Sequence, residues 1–323
     1  MSEMTYSEAS RLALREEMRR DPLVWALGQD LGPEGGVAGQ YKGLLQEFGP
    51  ERIVDSPISE ATMLGSCIGA ATMGTRPVCE LRYADFGLCA ADQLVNQAAK
   101  MRYMFGGQLR VPLVVRQSIG WRDGSAAQHA QSTEAWWAHT PGLVVVCPSD
   151  PRENRGLLKA AIRSDDPVVY MENKNLWGTK GEVPDEEELI PLGVANVVRK
   201  GGDVTIVTWS RIVGVAREAA AMLAARGIEV EIIDLRTIWP WDRAAVLASV
   251  EKTGRLVVAH ESVRAGGFGA EIAAEIGEVL HGRLKSPVRR IGGPRTPMPY
   301  SHALENLARI YPAQIVEAVV AIT

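Results

Sequence analysis

The sequence has few cysteines, and their spacing does not indicate disulfide pairs or a metal site. Its 323 residues include 4 cysteines, and none stands in the Cys-x-x-Cys arrangement of many zinc and redox sites. Cys67, Cys79, Cys89 and Cys147 have apolar surroundings in the sequence, so we expect buried thiols in a reducing compartment. Neither a zinc site nor a disulfide framework is indicated.

Long apolar runs and stripes of positive charge are also missing. No run reaches the roughly eighteen uncharged apolar residues of a membrane-spanning helix. Residues 1–20 predict a charged amphipathic helix without the apolar centre of a secretion signal. The formal net charge is -4 with scattered Lys and Arg, so no surface for nucleic acid or an anionic membrane is expected. We expect a cytoplasmic protein that acts on small molecules.

What is present is the pattern of a large α/β protein. Hydrophobic residues make up 46% of the chain and charged residues 23%, and this length favours two domains. Short apolar runs alternate with helical periodicity in the first half, as in buried parallel strands joined by helices. The predicted strands are 23–28, 78–81, 111–116, 144–147 and 168–171, and the predicted helices are 60–73, 90–102 and 152–163.

A second α/β series follows a polar break in the chain. Gly-Glu-Val-Pro at 181–184 and the acidic run 185–188 indicate a solvated linker. Strands are then predicted at 204–208, 230–234, 256–259 and 288–291, with helices at 214–226, 242–252 and 268–279. We therefore predict an α/β fold with two doubly wound domains, 1–180 and 200–323, joined by a linker at 181–199.

Polar and glycine-rich loops follow several of the predicted strands, where open parallel sheets bind their ligands. The loop at 28–36 lets the backbone approach a ligand closely, but it lacks the Lys-Ser/Thr of a phosphate-binding loop and could equally be a flexible connection. The loop at 82–87 carries Phe86, which could stack on a planar ligand or pack in the core. The loop at 124–132 carries His129 in a polar setting, where packing is a less common role for histidine.

Glu60 has two explanations at this stage. It follows Ser59, a plausible N-cap, and lies in the first turn of a predicted helix. A carboxylate there complements the helix dipole by roughly 0.3–1 kcal/mol. By spacing alone that structural role is favoured over a catalytic one.

Motifs along nearly the whole chain resemble the β subunit of the E1 component of thiamine diphosphate-dependent 2-oxo acid and acetoin dehydrogenase complexes. They occur in that family's order and spacing: Asp55-Ser56-Pro57-Ile58-Ser59-Glu60, Tyr83-Ala84-Asp85-Phe86, Asp92-Gln93-Leu94-Val95-Asn96-Gln97-Ala98-Ala99-Lys100, His129-Ala130-Gln131-Ser132, Asp234-Leu235-Arg236-Thr237 and Gly266-Gly267-Phe268-Gly269-Ala270-Glu271. The resemblance implies a transketolase-like pyrimidine-binding domain, a transketolase C-terminal domain, and an α2β2 heterotetramer that works with a lipoyl E2 core.

The resemblance also assigns roles to single residues. Glu60 matches the glutamate that hydrogen-bonds N1′ of the cofactor's aminopyrimidine, a contact that favours the imino tautomer needed for proton removal. Phe86 matches the aromatic residue that stacks on the pyrimidine, and Ile58 would form a wall beside it. His129 matches an entrance histidine linked to proton transfer and to acyl transfer to lipoamide.

Arg82 and the loop around His129 depart from the family pattern. Relatives often carry a smaller neutral residue at Arg82, and Gln128-His129-Ala130-Gln131 replaces the more usual His-Ser-Gln. A cation at position 82 could recognise a carboxylate or phosphate, or it could pair with Glu80 or Asp85. The sequence leaves the substrate open between pyruvate, a branched-chain 2-oxo acid and acetoin.

Two metal ions are implied by the resemblance, in different chains. The sequence lacks the Gly-Asp-Gly motif and following Asn that hold Mg²⁺ and the diphosphate in this family, so those groups are expected on the α subunit. A structural K⁺ ion is implied at oxygens of the residues matching the family's site, in which Ser164 replaces a frequent acidic residue. Those residues are Leu113, Ala161, Ile162, Ser164 and Asp166.

Two other functions are compatible with the same residues. A split transketolase half acting on sugar phosphates shares the domains, although the stretch at 97–100, the Phe86 loop and the Gly-Gly-Phe-Gly loop favour the E1 β subunit. A non-catalytic assembly subunit would keep the fold and lose the activity. The presence of Glu60, Phe86 and His129 argues against that loss.

Overall fold

A computed structural model of the chain describes residues 1–122 and 124–323, and its strands form three sheets. The strands are β1 (Ser2–Thr5), β2 (Val24–Gly28), β3 (Ile53–Asp55), β4 (Arg76–Tyr83), β5 (Val114–Ile119), β6 (Val144–Val146), β7 (Val168–Asn173), β8 (Lys180–Val183), β9 (Asn196–Arg199), β10 (Val204–Thr208), β11 (Val230–Asp234), β12 (Thr237–Trp239), β13 (Leu256–Val263) and β14 (Arg289–Gly293).

Helices connect most of these strands. They are α1 (Tyr6–Arg20), α2 (Leu44–Phe48), α3 (Glu60–Thr72), α4 (Ala99–Met104), α5 (Glu134–Ala138), α6 (Pro151–Arg163), α7 (Ile212–Ala224), α8 (Arg243–Thr253), α9 (Gly269–Val279), α10 (His302–Ala308) and α11 (Pro312–Val320). Short 3₁₀ helices cover Ala84–Ala90 and Lys174–Leu176, and a π-helical segment covers Gln93–Ala98. The single helix predicted for 90–102 is therefore wrong in detail, because a π-helical segment leads into the short helix α4.

The first sheet has seven strands in the order β12-β6-β7-β5-β4-β2-β3. All neighbours are parallel except β12, which pairs antiparallel with β6. Apolar residues of α1 and α6 share one buried cluster with this sheet, and α3 with residues 94–99 packs on its other face. The two-sided burial explains why these strands are nearly continuous apolar runs.

The second sheet has five strands in the order β14-β13-β10-β11-β9, with β9 antiparallel at its edge. Helices α7 and α11 form a buried cluster with one face. Helices α8 and α9 lie in a larger cluster that also contains residues of the first sheet's α3 face. The predicted doubly wound α/β architecture is confirmed, and the two halves share a continuous apolar core.

The turn after β11 joins the two halves. Asp234 is fully buried; its carboxyl group accepts hydrogen bonds from the Ser149 hydroxyl at 2.5 Å and from the Arg236 backbone N–H at 3.0 Å. Arg236 adopts the left-handed conformation, with φ of 59°, and its guanidinium pairs with Glu153 of α6 at 2.5 Å. Burial, together with the nearby Glu153, raises the pKa of Asp234 to about 7.

We expect Asp234→Asn to flatten the dependence of stability on pH. The unfolded carboxyl has a pKa of about 3.9, so the folded state holds the proton more tightly and stability falls as pH rises from about 4 to about 7. An asparagine can accept from Arg236 and donate to Ser149 without ionising. The difference in unfolding free energy between variant and wild type should therefore increase in favour of the variant by on the order of 2 kcal/mol from pH 5 to pH 8. Thermal midpoints at both pH values measure it, with the exposed Asp92→Asn as the control. A parallel pH dependence in wild type and variant would contradict this.

The Gly-Gly-Phe-Gly motif after β13 encloses a buried histidine. The His260 imidazole stacks on Trp209 with ring centroids 5.1 Å apart, and burial lowers its pKa to about 4. A Cβ atom at Gly267 would lie 2.7 Å from the ring, and one at Gly269 would lie 2.8 Å from it. Both positions therefore need glycine for the loop to close over the neutral ring.

The polar break between the halves contains regular structure. Part of β8 and all of β9 lie within residues 181–199, and β8 pairs antiparallel with β1. In the acidic run, Glu187 pairs with Lys159 at 2.9 Å and Glu188 pairs with Arg152 at 2.6 Å. The boundaries drawn at 180 and 200 stay a prediction.

Two sequence expectations bear on accessibility. Cys67, Cys79 and Cys147 are buried as expected, whereas Cys89 is exposed because it lies on the outer side of the 3₁₀ helix Ala84–Ala90. The expectation of a buried thiol at position 89 was wrong. Within residues 1–122 and 124–323, every helix is too short or too polar to cross a membrane.

Candidate active site

The four loops singled out in the sequence lie at one edge of the first sheet. They follow β2, β3, β4 and β5, which are consecutive neighbours in the order β5-β4-β2-β3. These strands are parallel, so all their carboxyl ends point to the same edge. Residues far apart in the sequence thus meet where parallel sheets bind ligands.

The loops after β2 and β3 are hydrogen-bonded to each other. The Asp55 carboxylate accepts from the backbone N–H groups of Leu31 at 2.5 Å and Gly32 at 3.0 Å. The Ser56 N–H donates to the Gly28 carbonyl at 2.9 Å. The glycine-rich loop is therefore a fixed part of this edge rather than an independent flexible connection.

Glu60 is the first residue of α3, and its exposed fraction is 9%. The Gln29 side-chain amide donates to its carboxyl group at 3.3 Å. Ser59 occupies the N-cap position as predicted, but its hydroxyl donates to the Pro57 carbonyl and does not cap the helix. Ile58, two residues before Glu60, is 78% exposed in this chain.

The loop after β4 places Arg82 and Phe86. Arg82 has a left-handed backbone with φ of 54°, and its guanidinium pairs with Asp30 of the glycine-rich loop. Of the alternatives left open in the sequence, pairing of this side chain with Glu80 or Asp85 is not found, because the turned backbone directs it to the loop after β2; Glu80 instead accepts the Arg82 backbone N–H at 3.1 Å. Phe86 is half-buried in the 3₁₀ helix that packs against α3.

His129 belongs to a compact aromatic group. Its imidazole centroid lies 5.0 Å from that of Tyr83 and 5.3 Å from that of Phe86, both in edge-to-face geometry. Tyr83 and Phe86 also contact each other, with centroids 5.9 Å apart. The fold therefore brings together His129 and Phe86, which the sequence placed on separate loops.

Sequence reasoning missed several polar residues that connect these loops. Gln131 donates to Asp85 at 2.8 Å and so ties the loop after β5 to the loop after β4. Lys174, directly after β7, donates to the backbone carbonyl of His129, and its Nζ lies 4.9 Å from the Tyr83 ring centroid. Its position after the buried strand β7 was the available signal, because that strand ends at the same sheet edge.

A buried charge network lies beneath the loops. Arg116 of β5 is fully buried and pairs with Glu172 of β7, and its guanidinium lies 3.6 Å from Glu80 of β4. Tyr41 donates to Glu80 at 3.1 Å. Burial raises the pKa of Glu80 to about 7 although Arg116 opposes the shift. The network links the strands whose loops carry Arg82, His129 and Lys174.

The residues at this edge fit the aminopyrimidine part of thiamine diphosphate. Among the described residues, the Glu60 carboxyl accepts one hydrogen bond, from Gln29, and keeps acceptor capacity for a further partner. Phe86 presents part of its ring, and Ile58 an exposed aliphatic side chain. The described residues contain no cluster of three or more His, Cys, Asp or Glu side chains placed to hold a metal ion.

The residues of the implied potassium site lie directly before β5, in the last turn of α6 and directly after it. The Leu113 carbonyl accepts from Val168 N–H at 2.8 Å, and the Ala161 carbonyl accepts from Ser164 N–H at 3.2 Å. The Ser164 hydroxyl donates to the Asp166 carbonyl at 3.1 Å. A carbonyl oxygen has two lone pairs, so these oxygens can still contact a cation.

A cavity of about 550 Å³ lies next to the His129 loop. The first half contributes Trp121, Gln131 and Trp136 to its wall, and the second half contributes Glu261 and Arg295. Glu261 also accepts from Asn173 at 2.5 Å and from Arg211 at 2.8 Å. Residues of the second half therefore border the site beside the His129 loop.

Family models match both halves of the chain. The model of the transketolase pyrimidine-binding domain matches residues 2–179, and that of the transketolase C-terminal domain matches residues 193–315. The split gene transketolase whose structure is described as an inactive β4 tetramer superposes with a TM-score of 0.82 at 25% sequence identity. That match covers 99% of this chain and 98% of the other.

Curated relatives cover nearly all of the chain. The β subunit of acetoin:2,6-dichlorophenolindophenol oxidoreductase from Cupriavidus necator is 47% identical over 95% of this chain and 93% of its own length. The mitochondrial pyruvate dehydrogenase E1 subunit β-2 of Oryza sativa is 46% identical, covering 95% and 82%. The 2-oxoisovalerate dehydrogenase β subunit of Bacillus subtilis is 40% identical, covering 98% and 97%.

Proposed function

The chain belongs to the family of E1 β subunits of 2-oxo acid and acetoin dehydrogenases, built from transketolase-type domains, and we propose that it supplies half of a thiamine diphosphate site shared with an α subunit. The complete enzyme would oxidatively decarboxylate a 2-oxo acid, or cleave acetoin, and transfer the acyl group to a lipoyl E2. The observation that most supports this proposal is that Glu60, Phe86 and His129 lie at one sheet edge.

Each of these residues has a definite task in this proposal. Thiamine diphosphate supplies a thiazolium carbon that becomes a nucleophile when its proton is removed. The Glu60 carboxyl group would exchange a proton with the aminopyrimidine, and the hydrogen bond from Gln29 would hold that carboxyl group in place. Phe86 would stack on the ring and Ile58 would lie beside it, and both apolar side chains would help to exclude water.

The charged end of the cofactor belongs to the α subunit in this proposal. Mg²⁺ is held by carboxylate and carbonyl oxygens together with the diphosphate, and the chain lacks the Gly-Asp-Gly motif for that task. Arg82 would act at the rim of the site, where its ion pair with half-exposed Asp30 leaves it close to an entering anionic group. Completing one site would therefore need both chains, which agrees with the α2β2 assembly that the family resemblance implies.

A structural K⁺ ion is also part of the proposal. The carbonyl oxygens of Leu113 and Ala161 and the hydroxyl of Ser164 suit a hard monovalent cation, with Ile162 and Asp166 beside them. Arg76 donates to the Ser164 carbonyl at 3.2 Å and Arg102 pairs with the Asp166 side chain. The Ser164 carbonyl and the Asp166 carboxylate therefore already have cationic partners, and the other oxygens of the site would bind the ion.

His129→Ala is expected to impair acyl transfer more than decarboxylation. An imidazole, with an unperturbed pKa near 6.5, can protonate a lipoyl sulfur at neutral pH, and His129 lies against Phe86 at the site entrance. Activity coupled to lipoyl E2 should fall about tenfold more than activity with an artificial electron acceptor. The exposed His281→Ala serves as the control, and equal losses in both assays would point to a general disturbance of the pocket.

The function is tested by co-expression with the α chain of the same genome. The purified complex is assayed with pyruvate, branched-chain 2-oxo acids and acetoin in the presence of thiamine diphosphate and Mg²⁺. Cofactor-dependent turnover of one of these substrates supports the proposal. Ketol transfer between sugar phosphates would favour the split transketolase instead, and a stable complex inactive in both assays would favour an assembly subunit.

A further inference from the structure

Residues 174–177, directly after β7, contact the loop that carries His129. Asn175 donates its side-chain amide to the Trp121 carbonyl at the start of that loop. The Arg122 guanidinium lies over the Trp177 ring, 5.4 Å from its centroid. Lys174 donates to the carbonyl of His129 near the other end of the loop. Both stems of the loop are thus attached to one strand end.

Helix α10 of the second half and the segment before it contact the same loop at Gly124. The Gly124 N–H donates to the Glu305 carboxylate at 3.2 Å, and a Cβ at Gly124 would lie 3.5 Å from the Tyr300 ring. Glu305 is itself buried, and Arg309 pairs with it at 2.5 Å. The described residues of the loop are thus held at several points, and among these contacts the one from Lys174 reaches the backbone of His129.

Lys174 is an unusual residue for this place because it is buried, with an exposed fraction of 3%. Its ammonium group lies 4.9 Å from the Tyr83 ring centroid, within cation–π range. Charge-assisted hydrogen bonds to a carbonyl are stronger than neutral ones. Lys174 thus connects the backbone of His129 and the ring of Tyr83, the two partners that set the imidazole's position.

The charges that face Lys174 come from several elements. Asp85 follows β4, Glu261 lies on β13 and Glu305 on α10, and these favour the ammonium form; Arg122, in the loop after β5, opposes it. Burial outweighs the three carboxylates and lowers the pKa of Lys174 to about 8. The ammonium group is therefore present at neutral pH and is lost within a moderately alkaline range.

We propose that Lys174 is a positioning residue for acyl transfer, which fixes the His129 imidazole between Tyr83 and Phe86 through its hydrogen bond to the His129 carbonyl and its contact with the Tyr83 ring. This rests on the proposed function of the same site. Small displacements of a reacting group can cost about a hundredfold in rate. Lys174 itself acts through His129 and does not need to touch the substrate.

The first test uses Lys174→Met and Lys174→Arg in the reconstituted α2β2 enzyme. Lys174→Met keeps the side-chain length but loses the donor and the charge, and we expect about a tenfold fall in lipoyl-coupled kcat with less than about a threefold fall in dye-linked kcat. Lys174→Arg should restore most of the coupled activity because it retains both the hydrogen-bond donor and the positive charge. Lys180→Met, which removes an exposed lysine paired with Glu3, is the matched control and should leave both activities unchanged.

The second test separates positioning from general support of the fold. In a double-mutant cycle, Lys174→Met added to His129→Ala should cost less than about twofold in coupled activity, because the residue through which it acts is gone. The coupled activity of the wild type should also decline above pH 8 more steeply than that of Lys174→Arg. The difference is expected because the arginine of the variant keeps its charge at alkaline pH, whereas Lys174 loses its charge.

Distinct results would overturn the two proposals. If the wild-type complex turns over none of the three substrates, the proposed function fails and the role of Lys174 in acyl transfer fails with it. If the wild type is active but Lys174→Met lowers both activities equally, or costs as much with His129→Ala as with wild type, only the positioning role is lost. Unchanged coupled activity of the Lys174→Met enzyme would likewise contradict the positioning role and leave the proposed function standing.

Discussion

Glu60→Gln is expected to lower turnover of the reconstituted enzyme by about two to four orders of magnitude while leaving the fold intact. Proton transfer by a positioned side chain contributes that much to many enzymes, and glutamine cannot bind and release the proton. The largely buried side chain stands at the first position of α3 with a single described partner, Gln29, and glutamine has nearly the same shape, so the change should cost little stability. The measurement is kcat with saturating cofactor, with circular dichroism to check the fold.

A matched control for this variant lies on α9. Glu278 is exposed on that helix, and Glu278→Gln removes the same charge far from the candidate site. It should leave turnover unchanged. Near-normal turnover of Glu60→Gln would return Glu60 to the structural alternative, a helix-terminal carboxylate that complements the dipole of α3.

The isolated chain is expected to bind thiamine diphosphate weakly or not at all, and addition of the α subunit should produce tight, Mg²⁺-dependent binding. The diphosphate carries most of the cofactor's charge, and its affinity depends on a bound metal ion that no Gly-Asp-Gly motif in this sequence can hold. Stacking on Phe86 and one hydrogen bond to Glu60 engage the pyrimidine alone. Calorimetric titration with and without Mg²⁺ gives the comparison.

The control for that titration is the α subunit alone, which carries the expected metal site but lacks the pyrimidine contacts. Submicromolar, Mg²⁺-dependent binding by the isolated β chain would refute a shared site.

The central parallel strands and their crossover helices could be predicted because their signal is local. Residues 204–208 and 230–234 were predicted with the bounds that the structure has, and the helix that starts at Glu60 was predicted to within one residue. Strands buried on both faces must be continuous apolar runs. That requirement is visible without knowledge of any neighbour.

The edge strands β1, β8, β9 and β12 were missed for a physical reason. Each is short, three or four residues long, and only partly apolar. Their conformation depends on a partner strand distant in sequence: β1 pairs with β8 across about 180 residues, and β12 crosses back to β6 of the other half. Such pairing is decided by tertiary context rather than by local pattern.

The sequence by itself determined the family, the two doubly wound halves and the identities of Glu60, Phe86 and His129 as candidates, because motif order and hydrophobic periodicity are written along the chain. The tertiary structure alone decided that Arg82 pairs with Asp30, that Cys89 is exposed, and that Lys174 holds the His129 loop. These are contacts between loops that only the packing of parallel strands brings to one edge. Side-chain direction and burial arise from that packing, and no local spacing encodes them.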